Sequence, residues 1–142
     1  MSFPGGHIND GETAVEASIR ETYEELGSTI GNIQVIGSCQ TIPAITGTLV
    51  TPIVGFIEQD VGDFSHLFPN ALEVDRVFSR TLEELLNPNN RKIEILPRPG
   101  GRIEMPVFGN EGHDERIWGL TALILDGFLR NAVIPNDLPG KE

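Results

Sequence analysis

The chain has one cysteine, Cys39, among 142 residues. An internal disulfide is therefore excluded, and Cys39 reads as a small buried residue near a strand end. Basic residues are scarce: 10 Lys and Arg stand against 21 Asp and Glu, a formal net charge of −11. A nucleic-acid surface needs a basic patch, so that class of partner is not expected. No apolar run approaches the ~20 residues that a membrane helix needs, so no membrane role is expected. No signal or transit peptide pattern, internal repeat or low-complexity tract is visible. What is present suits one domain: the length is ordinary for that, and 39% hydrophobic residues can supply a core.

One stretch organises the rest. Gly6-His7-Ile8-Asn9-Asp10-Gly11-Glu12 is followed by a seven-residue spacer and then Arg20-Glu21-Thr22-Tyr23-Glu24-Glu25-Leu26-Gly27. The pattern predicts a glycine-rich loop feeding an amphipathic helix from Thr13 to about Leu26, with Gly27 placed to end it. At about 100° per residue, Glu21, Glu24 and Glu25 share one arc, while Val15, Ile19, Tyr23 and Leu26 gather opposite as an expected core face. Glu16, Arg20 and Glu24 follow at i, i+4 spacing, which allows an acid–base–acid ladder. Three carboxylates at the negative end of a helix oppose the macrodipole and one another. At ~4 Å and an effective dielectric of 20, two such charges repel by about 4 kcal/mol. A hard divalent cation such as Mg²⁺ or Mn²⁺ resolves that conflict. A solvated acidic face is the plainer alternative.

The same residues resemble the Nudix box, G-x5-E-x7-R-E-U-x-E-E-x-G-U with U a bulky aliphatic. Gly6, Glu12, Arg20, Glu21, Glu24, Glu25 and Gly27 stand in register, with Thr22 and Ser28 in the aliphatic positions. At ordinary residue usage, seven fixed positions match one site by chance on the order of once in 10⁸. The resemblance implies an α/β fold, an α/β/α sandwich around a mixed sheet. It also implies metal-dependent hydrolysis of a nucleoside diphosphate joined to another group. By position, Glu21, Glu24 and Glu25 become metal ligands, the Gly5 carbonyl a backbone ligand, and Arg20 and Glu12 the brace between helix and loop. Mg²⁺ or Mn²⁺ is the implied cofactor. A field this negative repels an anionic diphosphate, which again calls for a cation at the site.

The rest of the chain gives a coarse order of elements. Ile33 to Cys39 reads as a strand, Pro43 to Gly47 as a turn, and Leu49 to Ile57 as a buried strand that Pro52 places at an edge or a bulge. Asp60 to Pro69 is a loop in which His66 reads as a surface histidine. After Asn70, Val74, Val77 and Phe78 suggest a short strand. Thr81-Leu82-Glu83-Glu84 has the capping-box pattern and starts a helix through Leu86, broken by Asn87 to Asn90. Lys92 to Leu96 and Arg102 to Phe108 form a hairpin around Pro97 to Gly101. A second helix is expected from about Asp114, with Ile117, Leu120, Ile124 and Phe128 as its core stripe; Trp118 reads as core or helix packing, with an adenine-stacking platform as the alternative. We take 1–134 as the domain and 135–142 as a flexible tail.

Further stretches resemble the coenzyme A diphosphatase branch of that family, of mitochondrial or peroxisomal type. They are Ser2 to Gly6, Leu49 to Phe56, Glu73 to Phe78 with Leu82, Pro106 to Phe108, and Arg116 to Ala122. This resemblance implies cleavage of coenzyme A or its acyl derivatives to 3′,5′-ADP and (acyl)phosphopantetheine. Other nucleoside-diphosphate substrates, or a nucleotide-binding module of low activity, remain the alternatives. The implied partner is a small nucleotide; a homodimer is open, and so is the compartment, mitochondrial, peroxisomal or cytoplasmic. The branch's basic upstream signature survives only as Phe3 to Gly6, and the strands ahead of the box are not in the sequence; an N-terminally truncated chain, a partner that covers the gap and an incomplete fold are the open expectations. Outside the box, Glu73 stands where an acid can hold a metal or position water; otherwise it is a turn residue. His7 reads as a loop residue valued for its backbone. Glu104, Glu111 and His113 are not selected by spacing as a base. Arg116 braces the site or caps a helix, and Arg98 and Arg102 contact phosphate or flank a solvated hairpin.

Overall fold

Thr13 sets the start of the first helix. Its hydroxyl accepts from the Glu16 amide at 3.2 Å, and the Glu16 carboxylate accepts from the Thr13 amide at 2.8 Å. This reciprocal cap satisfies two amides that otherwise lack partners. Helix α1 then runs Ala14–Leu26 and ends at Gly27, whose φ of 88° and amide bond to the Tyr23 carbonyl make the stop. A side chain at Gly27 would also place its Cβ 3.0 Å from the Phe68 carbonyl oxygen. Glu16 is thus a capping residue, not the first rung of a ladder; only the Arg20–Glu24 pair of that ladder forms.

The computed structural model describes residues 1–109 and 115–133. They fall in two compact units, one of Ser2–Ser79 and one of Met1 with the residues from Arg80 onward. The expectations for Glu111, His113, Asp114 and the tail 135–142 lie outside the described residues.

In the first unit, strand β1 (Ile33–Ser38) pairs antiparallel with β4 (Ile53–Ile57), with a bulge between Val35 and Gly37. Strands β2 (Ile42–Pro43) and β3 (Leu49–Val50) form a two-residue antiparallel ladder. The run from Leu49 to Ile57 is therefore two strands and not one. Pro52 has no amide to give a ladder, and its carbonyl accepts from the Cys39 amide at 2.8 Å at the break. Nor is the run buried, since Leu49 is 71% exposed and Phe56 53%. Cys39 follows β1 and is half-buried. No strand follows Asn70, because that residue captures the backbone as a turn. Its carbonyl accepts from the amides of Glu73 and Val74 at 3.0 and 2.8 Å, and its side chain accepts from the Leu72 amide at 3.1 Å. His66 is half-buried, not on the surface; its Nε2 is shielded, with no hydrogen-bond partner among the described residues.

In the second unit, Thr81 caps the short helix α2 (Leu82–Leu86) with the same reciprocal pattern toward Glu84. Strands β5 (Arg91–Arg98) and β6 (Gly101–Phe108) pair in full register from Arg91–Phe108 to Arg98–Gly101, a longer hairpin with a tighter turn than expected. Helix α3 (Gly119–Phe128) starts after Trp118 and passes into a wider turn over Leu129–Val133. Its start is later than expected because Ile117 is held in an antiparallel bridge to Phe108. The buried stripe is Ala122, Leu125 and Leu129, facing a core of Met105, Val107, Phe108 and Ile117. The expected stripe of Leu120, Ile124 and Phe128 is only half-buried. Trp118 is 60% exposed, so its place in the packing is not borne out. The α/β class stands; pairing among the described residues is antiparallel in all three sheets, so the parallel step of a mixed sheet is not among them. No described helix is long and apolar enough to cross a membrane.

Candidate functional site

The loop before α1 is drawn onto the helix by one guanidinium. Arg20 lies eight residues after Glu12, in the second turn of α1, and the loop folds back along the helix to meet it. Its Nε donates to Glu12 Oε1 at 2.8 Å and its Nη2 to Glu12 Oε2 at 3.0 Å, a two-pronged ion pair of the kind that fixes geometry as well as charge. Nη2 also donates to the His7 carbonyl at 3.0 Å, so it is the backbone of His7 that the site uses. Glu12 is anchored from its other side by the Asn9 amide at 2.9 Å. These donors stabilise the carboxylate form. The Arg20 hydrogen bonds first, then the Asn9 amide, lower the Glu12 pKa from 4.5 to about 2. The same partners, Glu12 before Glu21, raise that of Arg20.

The other guanidinium nitrogen faces the acids. Nη1 donates to Glu21 Oε1 at 2.8 Å and to Glu24 Oε2 at 3.2 Å. The loop glycines meet the remaining carboxylates. The Gly5 amide donates to Glu25 Oε1 at 3.1 Å. Gly6 is pressed so closely on Glu21 that a Cβ there would lie 2.2 Å from its Oε1, so a larger residue would displace the Glu21 carboxylate. Ala17 is the only buried residue of α1, and it lies on the acidic arc; Val15, on the expected core face, is 37% exposed, and Ile19, Tyr23 and Leu26 are half-buried.

The far end of α1 is tied to the turn that carries Glu73. The Asn70 amide donates to the Glu25 carbonyl at 2.9 Å, and Glu73 itself is exposed three residues on. An open cleft of about 510 Å³ lies beside the brace, lined by Asp10, Gly11, Glu12, Glu16, Ile19 and Arg20. Its three acids disfavour a phosphate there.

Oxygen donors of the kind hard divalent ions prefer are therefore gathered within the loop and one face of α1. Their present partners are protein groups. Among the described residues, no three acidic, His or Cys side chains converge closely enough to share one ion, because Arg20 takes Glu21 and Glu24 while Gly5 takes Glu25 through its amide. The side chains are of the type a divalent ion takes, and a cationic nitrogen already sits between Glu21 and Glu24.

The remaining candidates lie in the second unit. Arg116 pairs with Glu94 of β5, so it neither caps α3 nor stands alone. Arg98 and Arg102 flank the hairpin turn, exposed, and Glu104 is exposed on β6. The sequence reading missed two contributors. One is the Thr13–Glu16 cap, whose Thr-x-x-Glu signal is the same one read at Thr81. The other is Asn70, whose side-chain turn gives the loop its shape and leaves only a generic turn signal.

Comparison with known proteins agrees with this geometry. The NUDIX domain model matches residues 1–98. Mouse mitochondrial coenzyme A diphosphatase NUDT8 is 32% identical over 98% of this chain and 69% of its own length. The human NUDT8 protein is 35% identical over 89% of this chain and 52% of its own. Nudix hydrolase 3 of Caenorhabditis elegans is 29% identical over 88% and 57%. The chain thus spans about half to two-thirds of the length of these relatives. With a domain model covering most of the chain, and the box residues folded into a loop braced on a helix, the chain belongs to the Nudix family.

Proposed function

We propose that the chain hydrolyses the diphosphate of coenzyme A or acyl-coenzyme A to 3′,5′-ADP and (acyl)phosphopantetheine, using Mg²⁺ or Mn²⁺. The observation that carries this reading is the seating of Gly5, Gly6 and the Glu12–Arg20 brace against Glu21 and Glu25. Likeness to two mitochondrial coenzyme A diphosphatases supports this choice of substrate and a mitochondrial compartment. Glu21, Glu24, Glu25 and the Gly5 carbonyl are the ligands we assign. A divalent ion held by them supplies charge neutralisation for the diphosphate and a more acidic water. Glu12 and Arg20 keep the loop on the helix, so that the ligands need not be ordered during the reaction. Glu73, on the turn tied to the Glu25 carbonyl, is the residue we assign to receive the proton of the attacking water.

The test is incubation with coenzyme A and Mg²⁺, with 3′,5′-ADP as the product measured. Glu25→Gln should lower the rate at least ~100-fold, the scale seen when a positioned electrostatic group at a reaction centre is lost. Turnover of ADP-ribose or a dinucleotide without turnover of coenzyme A would replace the substrate with another nucleoside-diphosphate derivative. Thermal stabilisation by nucleotide and Mn²⁺ without turnover of any of these would make the chain a binding module.

A further inference from the structure

We propose that Arg20 is the protein's own occupant of the cation position between Glu21 and Glu24, and that its Nη1 gives way when a divalent ion binds while its Nε and Nη2 stay on Glu12. The inference rests on the metal reading under Proposed function. A guanidinium has five N–H donors, and the Arg20 contacts engage all five: one bond from Nε, two from Nη2 and two from Nη1. The two sides of the group are unequal. Toward the loop it makes the two-pronged pair with Glu12 and the bond to the His7 carbonyl. Toward the acids it makes two single-pronged bonds. The longer of these, 3.2 Å, goes to Glu24, whose side chain is 55% exposed. The other, 2.8 Å, goes to Glu21, whose side chain is 17% exposed. Exposed single-pronged pairs hold weakly, so the Glu24 contact yields first, and the single bond to Glu21 is the one the ion must then replace.

Charge points the same way. One guanidinium shared among Glu12, Glu21 and Glu24 leaves the cluster anionic, and Glu25 adds to it. Without a cation the carboxylates would repel, so Arg20 keeps Glu21 and Glu24 gathered before any ion arrives. A divalent ion supplies twice the charge to the same oxygens. Arg20 is in this sense a positioning residue: it preserves the ligand arrangement at the expense of affinity for the ion.

The experiment uses the whole chain labelled with ¹⁵N-arginine and titrated with Mg²⁺, with Arg20 signals assigned by their loss in Arg20→Gln, or in Arg20→Lys where Gln does not fold. The expected result is that the Nη signals of Arg20 shift and begin to average as the ion binds, while its Nε–H stays protected by Glu12. In parallel, Mn²⁺ binding followed by electron paramagnetic resonance should tighten about tenfold in Arg20→Gln, as expected when a unit positive charge beside a divalent ion is removed in a water-rich setting. A role limited to bracing the loop predicts the reverse, looser Mn²⁺ binding. Saturation by Mg²⁺ with the Nη signals unchanged overturns this inference and leaves the metal reading intact. Failure of the unaltered chain to bind either ion overturns both.

Discussion

The two units of this chain are held together by different physics. In Ser2–Ser79 the buried apolar residues are Ala17, Ile30 and Leu67, and order comes from caps, turns and the charges around Arg20. From Arg80 onward the buried apolar residues among those described are Met105, Val107, Phe108, Ile117, Ala122, Leu125 and Leu129, a layer between a long hairpin and a helix. The first unit carries the box and has few buried apolar residues. The second has the core and carries none of the box. Exposed apolar side chains follow the same division, with Leu49, Ile45, Phe68 and Leu72 each more than 70% exposed in the first unit. Hydrophobic burial is the dominant favourable term in folding, so the second unit should set the chain's stability and the first its function.

The strongest way to break this comparison is in the core. Phe108 is 2% exposed and exchanges both backbone hydrogen bonds with Ile117. Phe108→Ala should cost about 3–5 kcal/mol, against a total of roughly 5–15 kcal/mol for a typical domain. Urea unfolding followed by far-ultraviolet circular dichroism measures it. Leu72→Ala in the first unit, where the side chain is 95% exposed, should stay within ~0.5 kcal/mol of the parent. Similar losses from the two substitutions would erase the distinction between the units.

The same contrast explains what could be read from the sequence. The box was legible because its residues interact over short, fixed separations. Arg20 and Glu24 are four apart on α1, where helix geometry brings them together, and Glu12 and Arg20 are eight apart, a pair that forms because the loop ahead of Thr13 folds back along the helix. What Glu21, Glu24 and Glu25 do with those neighbours was not legible, since spacing does not say which cation they hold. The hairpin was visible from Pro97 to Gly101, and the Thr81 cap from its own four residues. Burial was not legible. Leu49 to Ile57 has the composition of a core strand, yet whether it is covered depends on what packs against it. The stripe of α3 was misplaced because the bridge between Ile117 and Phe108 delays the helix and fixes which side faces the hairpin. The strand expected after Asn70 lost to a local event, the capture of three amides by one asparagine.

A smaller effect sharpens the comparison from the side of the caps. Thr13 and Thr81 make the same reciprocal bonds, but one opens a thirteen-residue helix that carries the acids and the other a five-residue exposed helix. Thr13→Ala should cost about 1 kcal/mol, the usual value for a lost cap. Thr81→Ala should cost less, because fraying of α2 exposes little that was buried. Chemical denaturation of both variants under one condition compares them; a larger loss from Thr81→Ala would place the weight of the fold in the wrong helix.

The smallest expected effect is in acid, where the polar unit should respond through its brace. The Glu12 pKa is depressed to about 2 in the folded chain, first by the hydrogen bonds from Arg20 and then by the Asn9 amide, from an ordinary value of 4.5. A depressed carboxylate adds stability that is complete above its unfolded pKa and is lost as pH falls through its folded pKa. The window is therefore from about 4.5 down to about 2. Glu16 is also held low, by the Thr13 amide and then its hydroxyl, and contributes in the same direction. Water and salt screen a pair this near the surface, so the slope should be shallow and should flatten further in high salt. Urea midpoints of the parent and of Glu12→Gln, measured across that window, give the test. The variant should be less stable at pH 5 and should lose less of its stability on acidification, and the two curves should converge toward pH 2. Parallel curves would mean that the Glu12–Arg20 contact contributes nothing to folding, and that the loop is kept on α1 by Gly5, Gly6 and the cap alone.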